Sequence, residues 1–199
     1  MSYPIPAAIC KTEYEIKKSR FIAWAAYAPD REAAMQLLSQ AKSEYPDARH
    51  HCWAYLLGNP ASAASAAMSD DGEPSGTAGK PILNVLQHKG VGDVMLVVIR
   101  YFGGIKLGAG GLVRAYSSAA QQVMEQLEIQ QRVAMAEFTI CCDFSQEQFL
   151  RHWLDQVQGQ VIDIGYSHQV QVVISVPESE AGGLPDVASE RGWNLLIAE

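Results

Sequence analysis

Between Ser69 and Tyr116 the chain reads SDDGEPSGTAGKPILNVLQHKGVGDVMLVVIRYFGGIKLGAGGLVRAY. Two glycine-rich loops, Asp71 to Lys80 and Gly103 to Gly111, flank one apolar strand, Asp93 to Tyr101. Val94 to Ile99 is apolar at every position, the pattern of a strand covered on both faces, so other elements must pack above and below it. Each loop runs into a predicted helix. Glycine lets a backbone turn sharply and lets a partner come close. Helix N-termini carry free N–H groups and partial positive charge. Together they predict a surface for phosphate or another anion.

The rest of the chain is legible around that stretch. Thr12 to Ile16 and Phe21 to Ala28 are predicted strands joined by Lys17-Lys18-Ser19-Arg20. Asp30 to Tyr45 reads as a helix capped by Asp30, with Ala33, Leu37, Leu38 and Ala41 at helical spacing, ended by Pro46. His51 to Leu57 reads as a strand, with His50 and Cys52 on one face and His51 on the other. Gly58 to Met68 is rich in small residues and reads as a mobile loop. Short and long helices are expected over Ile82 to His88, with Pro81 in its first turn, and Leu112 to Leu127. Beyond residue 135 the expected order is strand Glu137 to Asp143, helix Gln146 to Gln156 capped by Ser145, and hairpin Val161 to Tyr166 with Gln169 to Val176. A helix within Pro177 to Arg191 and a strand Trp193 to Ala198 complete it. This β-α-β-β-α-β order is the ferredoxin-like pattern, although Gly182, Gly183 and Pro185 interrupt its second helix.

Charge separates the same two parts. Residues 1–135 hold 13 Lys/Arg against 12 Asp/Glu, and residues 136–199 hold 2 against 10. The expected organisation is therefore an N-terminal domain over 1–135 and a C-terminal domain over 136–199. The first suits an anionic partner. The second would be repelled by a phosphate backbone unless its charge faces away, and is expected to act as an electrostatic brake. Apolar runs fall short of the ~18–20 residues that span a bilayer. The N-terminus has prolines and acids where a signal peptide needs a basic start and an apolar stretch, so a cytoplasmic location is expected and no membrane partner. Cys10, Cys52, Cys141 and Cys142 read as free or buried thiols.

Neither loop is a standard nucleotide motif. In the first, Pro74 stands where a P-loop needs its first glycine, and Pro81 replaces the hydroxyl that would hold magnesium. A looser anion site remains, made of Ser75 and Thr77 hydroxyls, backbone N–H groups from Gly76 to Gly79, and Lys80. In the second, glycine fills five of nine positions (Gly103, Gly104, Gly108, Gly110 and Gly111), bracketed by Arg100, Lys106 and Arg114. Gly110 and Gly111 are expected where the chain turns into its helix, with positive φ. His50, His51 and Cys52 beside Asp70, Asp71 and Glu73 lack zinc spacing, so neither metal nor cofactor is predicted. Ser69, Ser75 and Cys52 sit in no nucleophile motif, and no catalytic residue is assigned. Trp53, Tyr55, Tyr101 and Phe102 are either base-stacking platforms or core.

DARHHCWAY at Asp47 to Tyr55, SDDGEPSGTAGKP at Ser69 to Pro81, VVIRYFGGIKLGAGGLVRAY at Val97 to Tyr116 and KKSRF at Lys17 to Phe21 resemble the IMPACT family, in its bacterial YigZ-type branch. The resemblance covers nearly the whole chain. It implies an N-terminal α/β sandwich like the second domain of a small-subunit ribosomal protein (the S-five domain-2-like fold) and domain IV of elongation factor G. It also implies a ferredoxin-like C-terminal domain, and so an α+β protein. Eukaryotic members regulate translation by binding a partner of an initiation-factor kinase. Some bacterial relatives are described as proline dipeptidases, but this sequence has no paired-metal ligand set for that chemistry.

The reading that follows is a translation-linked protein that binds RNA, the ribosome or a translation factor through its N-terminal domain. The expected surface comprises Arg20, Arg49, Lys80, Arg100, Lys106 and Arg114 with the two loops. The alternatives are an enzyme acting on a small phosphorylated substrate, with Lys80 or Lys106 on the phosphate and Asp70, Asp71 or Glu73 in acid–base work, and a protein-binding module whose glycine loops serve packing. The loops are expected to share one anion. Yet a helix running straight back from the first loop is expected to leave the loops at opposite ends of the sheet, unless Ser69 to Thr77 folds back over it.

Overall fold

The computed structural model describes residues 2–196. The described residues divide into two compact units, one formed by Tyr3–Arg132 and the other by Ser2 with residues 133–196.

The N-terminal unit begins with β1 (Tyr3–Pro6), β2 (Cys10–Ile16) and β3 (Ser19–Tyr27). The β2–β3 turn is only Lys17-Lys18, both at positive φ, which suits the twist of a tight hairpin. Next come α1 (Arg31–Glu44), β4 (His50–Leu57), β5 (Ser65–Ser69), α2 (Gly79–Lys89), β6 (Val94–Tyr101), α3 (Ala109–Gln126) and β7 (Ile129–Arg132). Asp30 caps α1 by accepting the Ala33 N–H at 2.8 Å. The main sheet has the order β2-β3-β6-β4-β5. β6, buried at every residue but Tyr101, is its centre, with α2 and α3 against one face and α1 against the other. This is the α/β sandwich that the family resemblance implies, with β6 covered on both faces as its apolar run requires.

β1 and β7 pair antiparallel and tie the two ends of this unit together. Buried Asp93 reinforces the tie. It accepts from the Gly58 N–H at 2.7 Å, the Tyr3 hydroxyl at 2.8 Å and Arg132 Nη1 at 2.7 Å.

Three expectations change. The end of the expected mobile loop, up to Met68, belongs with Ser69 to a strand, Ser65–Ser69, paired with β4. The sequence hides it because Ser and Ala carry little β-propensity, and β4 supplies the missing drive. Both helices beside the glycine loops start earlier than expected, at Gly79 and Ala109. Glycine weakens a helix interior, but these glycines lie in first turns, where a helical φ is all that is required.

The C-terminal unit contains β8 (Met135–Cys142), a 3₁₀ turn (Phe144–Gln146), α4 (Glu147–Gln156), β9 (Gln160–Tyr166) and β10 (Val170–Pro177). It ends with α5 (Glu178–Ala181), α6 (Leu184–Arg191) and β11 (Asn194–Leu196). The antiparallel order β11-β8-β10-β9 is ferredoxin-like. Leu150, Leu154, Leu184 and Ala188 cover its inner face. Ser145 lies inside the 3₁₀ turn, and α4 has no side-chain cap. The expected second helix is broken at Gly182-Gly183 into α5 and α6. Ile197 and Ala198 of the expected last strand lie outside the described residues.

Among the described residues no helix is long and apolar enough to cross a membrane.

Candidate anion-binding cleft

The loop after β5 and the loop after β6 leave the sheet at the same end. Both strands pair antiparallel with β4, so they run in the same direction. α2, 11 residues long and rising ~16 Å, carries the chain back from the first loop. Gly90, at φ 65°, turns it, and β6 returns to the starting end. The loops are neighbours, as expected, but by a different route. A straight return brings them together, because the first loop begins at the end of a strand that was not foreseen.

Between the loops lies a cleft of about 610 Å³. Its walls are Asp47, Arg49 and His50 at the entry to β4, Glu73 and Pro74 from the first loop, and Arg100, Tyr101 and Phe102 at the end of β6. Lys106 to Ala109 and Leu112, from the second loop and the start of α3, complete it.

The first loop is organised by its own carboxylates. Asp70 accepts the N–H groups of Gly76 (2.8 Å), Ala78 (2.9 Å) and Gly79 (2.8 Å). Burial alone would raise its carboxyl, but these N–H groups hold it below the ordinary carboxylate range. The N–H groups expected to receive an outside anion are therefore filled from within the chain. Thr77 is buried, with its hydroxyl donating to the Pro74 carbonyl at 2.6 Å. Asp71 accepts the His51 N–H at 2.7 Å, and the Asp71 carbonyl lies 2.9 Å from His50 Nδ1. Ser75 and Lys80 are exposed and lie outside the cleft lining. Gly79 is a packing residue, since a Cβ there would press on the Ser69 backbone at 2.8 Å.

Beneath the cleft, Arg100 Nη1 donates to Glu73 Oε1 at 2.6 Å, and the Tyr116 hydroxyl donates to the same oxygen at 2.8 Å. The Cys52 thiol donates to the Asp70 carbonyl at 2.9 Å and lies 3.3 Å from the Tyr116 hydroxyl. Burial pushes the Cys52 thiol up to about 12, so it is no nucleophile. Burial also raises Tyr116, with Cys52 and Glu73 adding to the effect. The charge of Arg100, expected on the surface, is paired with Glu73 in the buried wall of the cleft. Its Nε is buried with no acceptor.

Among the described residues no carboxylate accepts from the second loop's N–H groups in this way. Gly103 is pinned by its N–H to Ser19 Oγ at 3.1 Å, and a Cβ there would overlap the Lys18 backbone. Gly104 and Gly108 take positive φ, whereas Gly110 and Gly111 do not. The expectation of positive φ at the last two is corrected: both sit in the first turn of α3. α3 has no side-chain cap and no acid in its first turn. Arg114 folds back beside that turn, 3.6 Å from the position of a Cβ on Gly110.

Arg49, Lys106 and Arg114 are exposed and form no ion pair among the described residues. Arg20 differs: it is paired with Glu13 at 2.7 Å, outside the cleft lining. The cleft therefore gathers Arg49, Arg100, Lys106 and Gly108 from the expected set. It adds Phe102, which is 58% exposed, while Tyr55 is buried in the core. Asp47 and His50 were missed as cleft residues. Their signal was sequence proximity to Arg49, just before a strand whose first residue pairs with Arg100. Among the described residues no three or more His, Cys, Asp or Glu side chains are placed to hold a metal.

Comparison with known proteins agrees with this architecture. Residues 17–124 match the Impact N-terminal domain, and residues 140–185 match a domain of unknown function, DUF1949. The chain is 42% identical over 179 residues to the IMPACT family member YigZ of Escherichia coli, covering 90% of this chain and 88% of that one. It is 36% identical over 197 residues to an IMPACT family member of Haemophilus influenzae, covering 99% and 96%. A crystal structure of a hypothetical protein superposes with a TM-score of 0.76 at 40% identity, covering 100% of this chain and 98% of the other. The motifs, the two-unit architecture and these matches agree, and the chain belongs to the IMPACT family.

Proposed function

We propose that this chain is a translation-linked regulatory protein whose N-terminal unit binds a phosphate-bearing partner, RNA, in the cleft between its two glycine loops. The observation that carries the reading is the second loop. Its Lys106, together with Arg49 across the cleft, has no ion-pair partner among the described residues, and both line the cleft with Phe102 and the start of α3. Unpaired cations and helix N–H groups recognise phosphate, and an exposed aromatic ring stacks bases. The link to translation rests on family membership.

The test is fluorescence anisotropy with labelled RNA at several salt concentrations. Binding should weaken steeply with salt, and Lys106→Ala and Arg49→Ala should each lower the salt slope by about 1. Salt-independent binding, or slopes unchanged in both variants, would sink the reading.

An enzyme acting on a small phosphorylated substrate is the second reading, favoured by His50. The Asp71 carbonyl fixes its Nδ1, and the ring lines the same cleft. Chromatography of nucleotides incubated with the protein tests it. Turnover lost in His50→Gln supports the reading, and no turnover rejects it.

A further inference from the structure

We propose that β5 is a pairing edge for a second copy of this chain, which joins two five-stranded sheets antiparallel through Ser65–Ser69. Among the described residues β5 pairs only with β4, so one side of its backbone has no neighbouring strand. Such an edge presents a row of unmet N–H and C=O groups. Proteins guard it with charge, proline, a bulge or a very short strand.

Apart from β11, which reaches the end of the described residues, every other strand edge carries such a guard. β2, at the far side of the same sheet, has Lys11, Glu13 and Glu15. β1 contains Pro4 and Pro6, and its partner β7 ends on Arg132. In the C-terminal unit, β9 carries Asp163 and a register shift against β10. β5 has none of these. It is five residues long, in unbroken register with β4, and the chain is uncharged from Cys52 to Ser69. Ser65, Ala66 and Met68 are exposed, Met68 by 46%. The strand is also held in place from behind. Gly79 of α2 lies so close to the Ser69 backbone that a Cβ would not fit. A preformed edge loses little freedom on pairing.

The strand's own sequence favours an identical partner. Ser-Ala-Ala-Met-Ser reads nearly the same in both directions. A two-fold axis normal to the sheet sets one residue opposite itself, and the middle residue is Ala67. Ser65 then faces Ser69 of the second copy, and Ala66 faces Met68, with no like charges opposed. Ala66 and Met68 share the α2 face with Leu56 and Ala54, their partners in β4. Each Met68 therefore covers the small Ala66 of the other copy. A charged peptide finds no opposite charge along this edge, whereas an identical strand meets it without conflict of charge or size. Five residues span only ~17 Å, which makes a small interface and a weak, reversible dimer. Antiparallel pairing puts the two clefts at opposite ends of the joined sheet, where both stay open.

The experiment is sedimentation equilibrium of the full chain from about 1 to 500 µM, the range of weak association. A monomer–dimer equilibrium is expected. A monomer throughout would overturn the inference, whatever other strand the edge accepts. Hydrogen exchange of the parent at both ends of that range locates the contact. Exchange within residues 65–69 should slow at high concentration while that of β2 does not, and protection gained only elsewhere would overturn the placement at β5. Met68→Lys and Ala66→Glu, both at exposed positions, each set like charges diagonally across the axis. Each should melt like the parent at the dilute end and weaken the dimer roughly fivefold. Mixed in equal amounts, the two variants should associate as tightly as the parent, because position 68 of one faces position 66 of the other. Unchanged dimerisation in both variants would overturn the pairing, and a loss that mixing does not restore would overturn the register about Ala67.

Discussion

Glu73 and Arg100, 27 positions apart in sequence, meet at 2.6 Å with side chains only 4% and 7% exposed. The pair fastens the first glycine loop to the end of β6, and so to the origin of the second loop. Tyr116 joins it from α3 through the same Glu73 oxygen. One carboxylate thus joins the first loop, the end of β6 and α3.

Removing that carboxylate should be costly. Glu73→Ala leaves the Arg100 charge buried and uncompensated, and a loss of about 3–5 kcal/mol in urea unfolding is expected. Replacing both, as in Glu73→Leu with Arg100→Met, should recover most of that stability, since a buried pair gains little over apolar residues of similar volume. Equal losses in the single and double variants would show that the pair is not what holds the loop.

Asp70 makes stability depend on pH at the acid end. Its folded-state carboxyl lies below the ordinary value because three N–H groups stabilise the anion against the opposing effect of burial. A depressed pKa contributes stability that is present above the unfolded value, near 3.9, and lost as pH falls through the folded value. Unfolding followed below about pH 4 should show this decline, and Asp70→Asn should flatten it. At neutral pH that variant should cost roughly 2 kcal/mol.

The glycines of the second loop should not be equivalent. Gly108 stands at φ 71°, so Gly108→Ala should cost about 1 kcal/mol or more. Gly110 is helical with room for a Cβ, so Gly110→Ala should be neutral or stabilise by up to about 1 kcal/mol. Thermal melting of the two variants checks the order, and a reversed order contradicts the backbone geometry.

Cys52 should be inert in the folded protein. Burial pushes its thiol up to about 12, and it is enclosed beside Tyr116. Alkylation at pH 8 followed by mass mapping should leave Cys52 unmodified until denaturant is added. Cys10 and Cys141, partly exposed, should react earlier.

The sequence by itself determined the strongly patterned elements. The all-apolar run Val94 to Ile99 required cover on both faces, and α1 and the α2–α3 pair provide it. The cap at Asp30 and the apolar stripe behind it defined α1, and the glycine pair in the C-terminal unit marked the break between α5 and α6. These signals are local: spacing, capping and backbone restriction act within a few residues. Tertiary structure decided the rest, because it depends on contacts between distant positions. Ser65–Ser69 became a strand only through pairing with β4, and that strand placed the two loops at one end of the sheet. Likewise, no local pattern distinguishes a carboxylate that faces water from one that folds inward. Asp70 turned onto its own loop's N–H groups and Glu73 onto Arg100, which closed the first loop to an outside anion and left the start of α3 open.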